Sequence, residues 1–359
     1  MPTAGTFEQL LAQRVLMINP SPQLLAAIRE LENSPLGKPS RFDHLVSDDD
    51  WAEMRSGVWP MCPFNQAWAD KGADRAEQLT FEGPEGSIDI RVVRPSGEVR
   101  GALFHTHGGG WIANSPASFD YKHAQAAEWC GLVVGCVDWR KAPQHPYPAA
   151  LDDLEAGALW FSEYVKKEYG VDSLYLRGES SGGNTGAATI LRMKQKHGFN
   201  FSGAVLDIGC FDMTAALPSH TEFDDRKQTM DSVSVNQMFD LYLWDNENRR
   251  DPELSPMYGN LSGLPPVLFN VCDLDPLRDG AFLMFMRWLA ANDNAYSSRR
   301  AGSGTLMSRI VPRAGSGSAV RETPVAPWSR ARRPDRLPGR MEFPWRANPV
   351  RRAGAWRCR

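Results

Sequence analysis

Up to residue 78 the apolar positions recur at helical intervals. Thr6 and Gln9 have the spacing of a capping box ahead of Leu10, Leu11 and Val15, and Ser21-Pro22 opens a second stripe of Leu24, Leu25, Ile28 and Leu31. These stripes predict an N-terminal helical cap over residues 1–78. From Gln78 the spacing changes to alternation. Leu79 and Phe81, then Ile88, Ile90 and Val92, flank Gly83-Pro84-Glu85-Gly86, the pattern of an antiparallel hairpin. Beyond it, short apolar runs at 101–104, 132–134, 174–176, 204–206 and 267–269 alternate with helical stretches. Runs this short read as strands, and the alternation predicts an α/β fold with a mostly parallel central sheet over residues 79–295. Residues 212–250 break the rhythm with a polar and then aromatic stretch (Phe239, Tyr242, Trp244), which predicts a cap element inserted into the core.

Composition changes this picture at one end. The chain has 359 residues, 42 % hydrophobic and 23 % charged, which excludes disorder or a collagen-like repeat for most of its length. No apolar run approaches the ~18 residues that a membrane-spanning helix needs. The first residues show neither a basic leader nor a cleavage site, so the expectation is a cytoplasmic protein. Six scattered cysteines with no Cys-x-x-Cys pair argue for reduced, mostly buried thiols and against a zinc site or a disulfide framework. The net charge of −3 conceals two opposed regions. Residues 1–296 carry 25 Lys and Arg against 40 Asp and Glu, a balance of −15; residues 297–359 carry 15 against 3, a balance of +12, and all fifteen bases are arginine.

The strongest chemical signal is Gly178-Glu179-Ser180-Ser181-Gly182, a Gly-x-Ser-x-Gly between a predicted strand and a helix rich in small residues. That is the setting of a nucleophile elbow, in which a sharp turn lifts the serine hydroxyl above the sheet. Upstream, His105-Thr106-His107-Gly108-Gly109-Gly110-Trp111 follows another strand, and glycines there let backbone N–H groups turn towards a developing oxyanion. A phosphate cradle is the rival, but neither Gly-Lys-Ser/Thr nor Gly-x-Gly-x-x-Gly occurs.

Together these motifs resemble the hormone-sensitive-lipase family of α/β-hydrolases, most of whose members are carboxylesterases. The resemblance spans roughly residues 78 to 295. It includes Asp138-Trp139-Arg140-Lys141-Ala142-Pro143, which looks like the family's Asp-Tyr-Arg-x-Ala-Pro stretch with Trp139 replacing tyrosine. The resemblance implies an α/β-hydrolase fold with a helical cap and an acyl-enzyme mechanism on small esters, with no metal and no cofactor. Ser180 would be the nucleophile; Gly108, Gly109 and the amide of Ser181 would form the oxyanion hole, supported by His107 and Gly110. Asp275, in Asp275-Pro276-Leu277-Arg278-Asp279, would orient an imidazole, with Asp279 flanking the following helix; by residue type alone Asp273 is nearly as good. Glu179 stands where many members have Asp.

The imidazole itself is missing from its place. The order in this fold is Ser, then Asp, then His, and the resemblance puts that histidine near position 305. The seven histidines are 44, 105, 107, 123, 145, 197 and 220, so none follows Asp275. The arginine-rich composition begins at nearly the same point, so the last strand and helix are expected to be missing or disrupted and residues 296–359 to form an aberrant, disordered tail. Out-of-frame translation of a GC-rich gene would produce it. One nucleotide on, the permitted codons of Arg299–Gly302 can read Val-Glu-Leu and those of Met307–Ile310 can read Cys-His-Gly. The nucleotides of codons 290–312 test this. A basic arm for nucleic acid or anionic membrane is the competing account of the tail, but no nucleic-acid partner is expected. The resulting expectation is a serine carboxylesterase crippled in proton transfer unless another imidazole, with His220 in the cap a candidate, takes over. The alternatives are an arylformamidase-like amide hydrolase and a non-catalytic small-molecule receptor on the same scaffold. A homo-oligomer is possible.

Overall fold

The computed structural model describes residues 15–18, 41–56, 73–225, 230–244 and 248–300, all within the unit Met1–Ser318. Nine strands form one sheet: β1 (Val15–Ile18), β2 (Ala76–Gly83), β3 (Gly86–Val93), β4 (Gly101–Thr106), β5 (Leu132–Val137), β6 (Leu174–Glu179), β7 (Gly203–Asp207), β8 (Val267–Cys272) and β9 (Ala295–Arg300). Their spatial order is β1-β9-β8-β7-β6-β4-β5-β3-β2. The hairpin β2–β3 pairs antiparallel, as its alternation predicts, and β3 pairs antiparallel with β5; the other pairs are parallel. Each apolar run of the core is therefore a strand of an α/β-hydrolase sheet.

Helices cover the strands: α1 (Asp48–Ser56), α2 (Asp120–Cys130), α3 (Ala149–Tyr169), α4 (Ser181–His197), the single turn α5 (Ser219–Glu222), α6 (Ser232–Leu243) and α7 (Arg278–Asn292). The period-2 geometry of the strands divides their side chains between two faces. Val133 and Val137 join the main core, which includes α3 and α4 residues, whereas Val134 and Leu103 meet Ala127 of α2 on the opposite face. Between β7 and β8 lie α5 and α6, in the stretch whose composition predicts an inserted element.

Two expectations need correction. Val15, read as part of a helical stripe, opens β1, which pairs in parallel with β9 from Val15↔Ser297 to Ile18↔Arg300. Four consecutive apolar residues cannot be assigned by periodicity alone, and an open sheet edge offers unpaired N–H and C=O groups that bind such a segment. The expected second helix from Ser21 lies outside the described residues. The last strand, expected to be lost, is present: β9 pairs with β8 from Val267↔Ala295 to Cys272↔Arg300. A β-ladder needs only backbone groups, so an arginine- and serine-containing segment can add to a sheet that is already built. Its side chains suit the place poorly. The Ser297 and Ser298 hydroxyls are buried without a hydrogen-bond partner among the described residues. The remainder of the expected tail, residues 301–359, and the expected histidine position near 305 also lie outside the described residues.

Candidate active site

The site begins with backbone strain. Ser180 sits between β6 and α4 with φ +56° and ψ −123°, a region that non-glycine residues occupy only where the surroundings impose it. The imposition is visible. The Ser180 N–H donates to Asp207 O at 2.9 Å, and its carbonyl accepts from Asn184 N at 3.2 Å and Cys210 N at 3.3 Å. The flanking glycines permit the turn: a Cβ at Gly178 would lie 2.2 Å from Gly182 O, and one at Gly182 would lie 2.0 Å from Thr106 O. No side chain fits at either position.

The glycine loop after β4 lies against this turn. A Cβ at Gly108 would stand 3.3 Å from the Ser180 Cβ, so the two motifs, some seventy residues apart, form one site. The loop is held from below. His107 is fully buried, stacked on Trp139 at 4.7 Å and on Phe119 at 5.8 Å, and its Nδ1–H donates to Gly108 O at 2.9 Å. The Asn114 amide donates to the same carbonyl at 2.9 Å. Trp139 and its neighbours, singled out by the resemblance, thus form the floor of the loop, and Arg140 anchors them through Asp153.

The loop also departs from expectation. Gly108 is expected to offer its amide to an oxyanion, but that N–H donates to Glu179 Oε1 at 2.9 Å. Among the described residues, the amides of Gly109, Gly110 and Ser181 make no hydrogen bond. Gly109, at φ +142°, would put a Cβ 2.2 Å from Ala113 O, so its conformation is reserved for glycine. Ser181 is the first residue of α4, where helix N–H groups lack intrahelical partners and the helix dipole favours negative charge.

Glu179 is the residue that the sequence reading undervalued. Its Oε2 accepts from His105 Nε2 at 2.7 Å, and His105 Nδ1 shares a hydrogen bond with His123 Nε2 at 2.8 Å. A hydrogen-bonded chain therefore runs from the Gly108 amide through the partly exposed Glu179 to the buried His105 and His123. Burial alone would raise the Glu179 pKa, but the charge and hydrogen bond of His105 outweigh it and hold the carboxyl well below the usual range. A cation does not fit this cluster as built. The potential donors of His105, His123 and Cys136 lie within 4.8 Å of one another, yet the 2.8 Å between the two nitrogens is shorter than the roughly 3.3 Å that tetrahedral zinc would set between two such ligands. Burial also keeps the Cys136 thiol protonated. Of the four described cysteines, Cys136, Cys210 and Cys272 are buried and Cys130 is exposed.

Asp275 follows β8 and is 1 % exposed. Its Oδ1 accepts from Leu277 N at 2.9 Å, and its carbonyl accepts from Arg278 N at 3.0 Å. Asp279, in the first turn of α7, accepts from Ser219 N at 2.9 Å and pairs with Arg278 at 2.9 Å. Asp273, the alternative acid, lies partly exposed, with its carbonyl accepting from Arg278 Nη1 at 3.2 Å. Residues outside the core close over the loop. Trp111 stacks on Tyr242 at 5.0 Å and meets Phe239 at 5.9 Å, while Arg55 donates to Ile112 O at 2.9 Å and Ala142 O at 2.7 Å.

The buried imidazoles make acid stability a property of this site. Burial, reinforced by the Lys141 charge, pushes His107 down to about 3, and burial also holds His123 well below its ordinary value. An unfolded chain would protonate both near pH 6.5, whereas the folded chain does not, so stability falls as pH drops below that point. His107 alone should cost about 2 kcal/mol between roughly pH 6.5 and 5. Urea midpoints measured across this interval should fall before the carboxylates titrate; a midpoint constant down to about pH 5 would contradict the burial of these rings.

The comparisons with known proteins bear on the fold and the family. The alpha/beta hydrolase fold family matches residues 103–304. A carboxylic ester hydrolase of Mycobacterium tuberculosis, LipN, is 29 % identical over 295 residues, covering 77 % of this chain and 75 % of that protein. The carboxylesterase NlhH of the same species is 32 % identical over 215 residues, covering 57 % of this chain and 66 % of its own length. Among solved structures, an esterase of Pyrobaculum calidifontis superposes with a TM-score of 0.67 at 26 % identity, over 82 % of this chain and 94 % of that one. The thermophilic carboxylesterase EstE1 from a metagenomic library superposes with a TM-score of 0.64 at 25 % identity, over 72 % of this chain and 90 % of its own. With its sheet order, its strained serine and the glycine loop packed against it, the chain belongs to the α/β-hydrolase family, in the hormone-sensitive-lipase-like branch.

Proposed function

We propose that the chain hydrolyses short acyl esters through an acyl-enzyme on Ser180. The observation that carries this reading is the strained Ser180 turn lying against a glycine loop with unclaimed amides. The hydroxyl oxygen attacks the ester carbonyl, and the oxygen of the tetrahedral intermediate takes hydrogen bonds from Gly109, Gly110 and Ser181. Such donors, fixed before the reaction, are worth about 10²–10³ each in kcat. The intermediate expels the alcohol, and water then releases the acid. Asp275 is the acid that orients the proton-carrying imidazole. The reading needs no metal or cofactor, and we place the protein in the cytoplasm; among the described residues no helix is long and apolar enough to cross a membrane.

Proton transfer decides the rate. No histidine follows His220, and removal of the base from a comparable serine hydrolase costs about a millionfold in kcat, roughly 8 kcal/mol of barrier. The test is steady-state hydrolysis of p-nitrophenyl acetate and butyrate beside an aryl formamide, with mass analysis of the chain after brief exposure to the acetate. The expected result is an acetyl adduct on Ser180 and a preference for the esters. A preference for the formamide moves the assignment to an amide hydrolase, and tight binding without an adduct moves it to a receptor.

A further inference from the structure

Beside the elbow lies a small pocket of about 20 Å³, room for about one water, that the proposed chemistry has not yet used. Its walls are Cys210 to Asp212 after β7, His220 on α5, and Pro276 and Leu277 directly after Asp275. It is joined to the nucleophile through the Cys210 amide, which donates to the Ser180 carbonyl at 3.3 Å. It is joined to the acid loop through α5. Ser219 donates its N–H to Asp279 Oδ2 at 2.9 Å and its hydroxyl to Pro276 O at 3.0 Å, and accepts from Asp279 N at 3.1 Å. Three hydrogen bonds therefore pin the residue before His220 to the segment that carries Asp275.

His220 is 6 % exposed, with its ring stacked on Phe239 at 6.3 Å. Nε2 of the ring is buried without a partner among the described residues. An unclaimed imidazole nitrogen at a pocket wall, on a turn pinned to the segment that carries Asp275, is the kind of group that a general base requires. His107 Nε2 and His123 Nδ1 are also buried without a partner among the described residues, but neither residue lines the pocket, and each ring is held through its other nitrogen. His105 and His123 hold each other and Glu179, His107 braces the glycine loop, His197 meets Glu155 at 2.7 Å, and His44 and His145 are exposed.

We infer that His220 is the base of this chain. Nε2 takes the Ser180 hydroxyl proton, directly or through water in the pocket, as the oxygen bonds to the acyl carbon. The proton then passes to the alkoxide as the C–O bond breaks. In the second half Nε2 takes a proton from water, the hydroxide adds to the acyl carbon, and the proton returns to Ser180 as the acid leaves. This rests on Ser180 being the nucleophile.

The experiment compares ester hydrolysis by the full chain, Ser180→Ala, His220→Gln, His220→Gly and Asn236→Leu between about pH 4.5 and 9. His220→Gln should lower kcat by up to about a millionfold with KM nearly unchanged, and added imidazole should restore part of the rate to His220→Gly. The kcat/KM of the intact chain should fall on an acid limb whose midpoint lies below the ordinary histidine value. Burial moves the ring that way, together with Arg249, while Asp224, Asn236 and Asp212 oppose it; Asp275, Arg278 and Asp279 are charged on the packed segment, and Glu222 on α5 pairs with Arg278. Asn236→Leu should move the limb lower still. Turnover that Ser180→Ala abolishes and His220→Gln leaves intact overturns the inference alone; turnover that Ser180→Ala leaves intact overturns the nucleophile with it. An intact chain without turnover also overturns the inference. If His220→Gln fails to fold, a limb that Asn236→Leu does not move has the same force.

Discussion

Replacing Ser180 by alanine is expected to abolish the acetyl adduct and to lower kcat on an activated aryl ester by up to about a millionfold, the scale seen when a serine nucleophile is removed. The same position should show stability and activity opposed. Serine and alanine both carry a Cβ into the φ +56° conformation, so Ser180→Ala should leave the urea midpoint nearly unchanged. Ser180→Gly removes a strain of about 1–3 kcal/mol and restores part of it as unfolded-chain entropy, roughly 0.5–1 kcal/mol. A glycine variant that is both dead and more resistant to urea is the expected pair of results. A glycine variant less stable than the alanine one would mean that the turn is not strained in the native chain.

The second large effect belongs to Glu179. Its carboxylate holds the Gly108 amide with one oxygen and His105 with the other, so Glu179→Gln unsettles the loop and leaves His105 without its charged partner. Because the Glu179 side chain is 19 % exposed, losing this pair should cost less than the ~3–5 kcal/mol of a fully buried one. Loss of fixed oxyanion donors should lower kcat about 10²–10³-fold, with KM little changed because the pocket walls are elsewhere. The sign of the pH dependence follows from the depressed carboxyl. Its stabilisation is complete above the unfolded value of about 4.3 and is lost as pH falls through the lower folded value. The stability gap between intact chain and variant should therefore be constant near neutrality and shrink in acid. A gap that widens below about pH 4 would mean that Glu179 is protonated in the fold.

The ease of reading the site followed the range of the interactions. Ser180 was legible because Gly178 and Gly182 have no substitute in the turn, and that constraint is written locally. The hairpin and five core strands were legible because apolar spacing records which face of a strand is buried. The fate of the Gly108 amide was not legible, since Glu179 reaches it from another strand, and nothing at Glu179 signals a bond 71 positions away. His123 carries no motif, and its role exists only because α2 lays it against β4. Asn184, which accepts from Trp111 Nε1 at 3.3 Å and donates to Cys210 O at 2.8 Å and Leu254 O at 2.7 Å, escaped notice for the same reason.

The ends of the chain show the opposite weighting. Local pattern assigned Val15 to a helix and denied a strand after Ala295, yet each segment lies beside the other at the margin of the sheet. A strand at the edge is selected by the unpaired backbone groups of its neighbour, which no window of sequence contains. Short-range spacing determined by itself the class of fold, the turn that lifts Ser180 and the absence of any histidine beyond 220, because each depends on residue identity along a few consecutive positions. Only the tertiary structure decided that the Gly108 amide is already bonded, which carboxylate holds the loop and which imidazole borders the pocket, because hydrogen bonds between distant segments exist only after the sheet has brought them together.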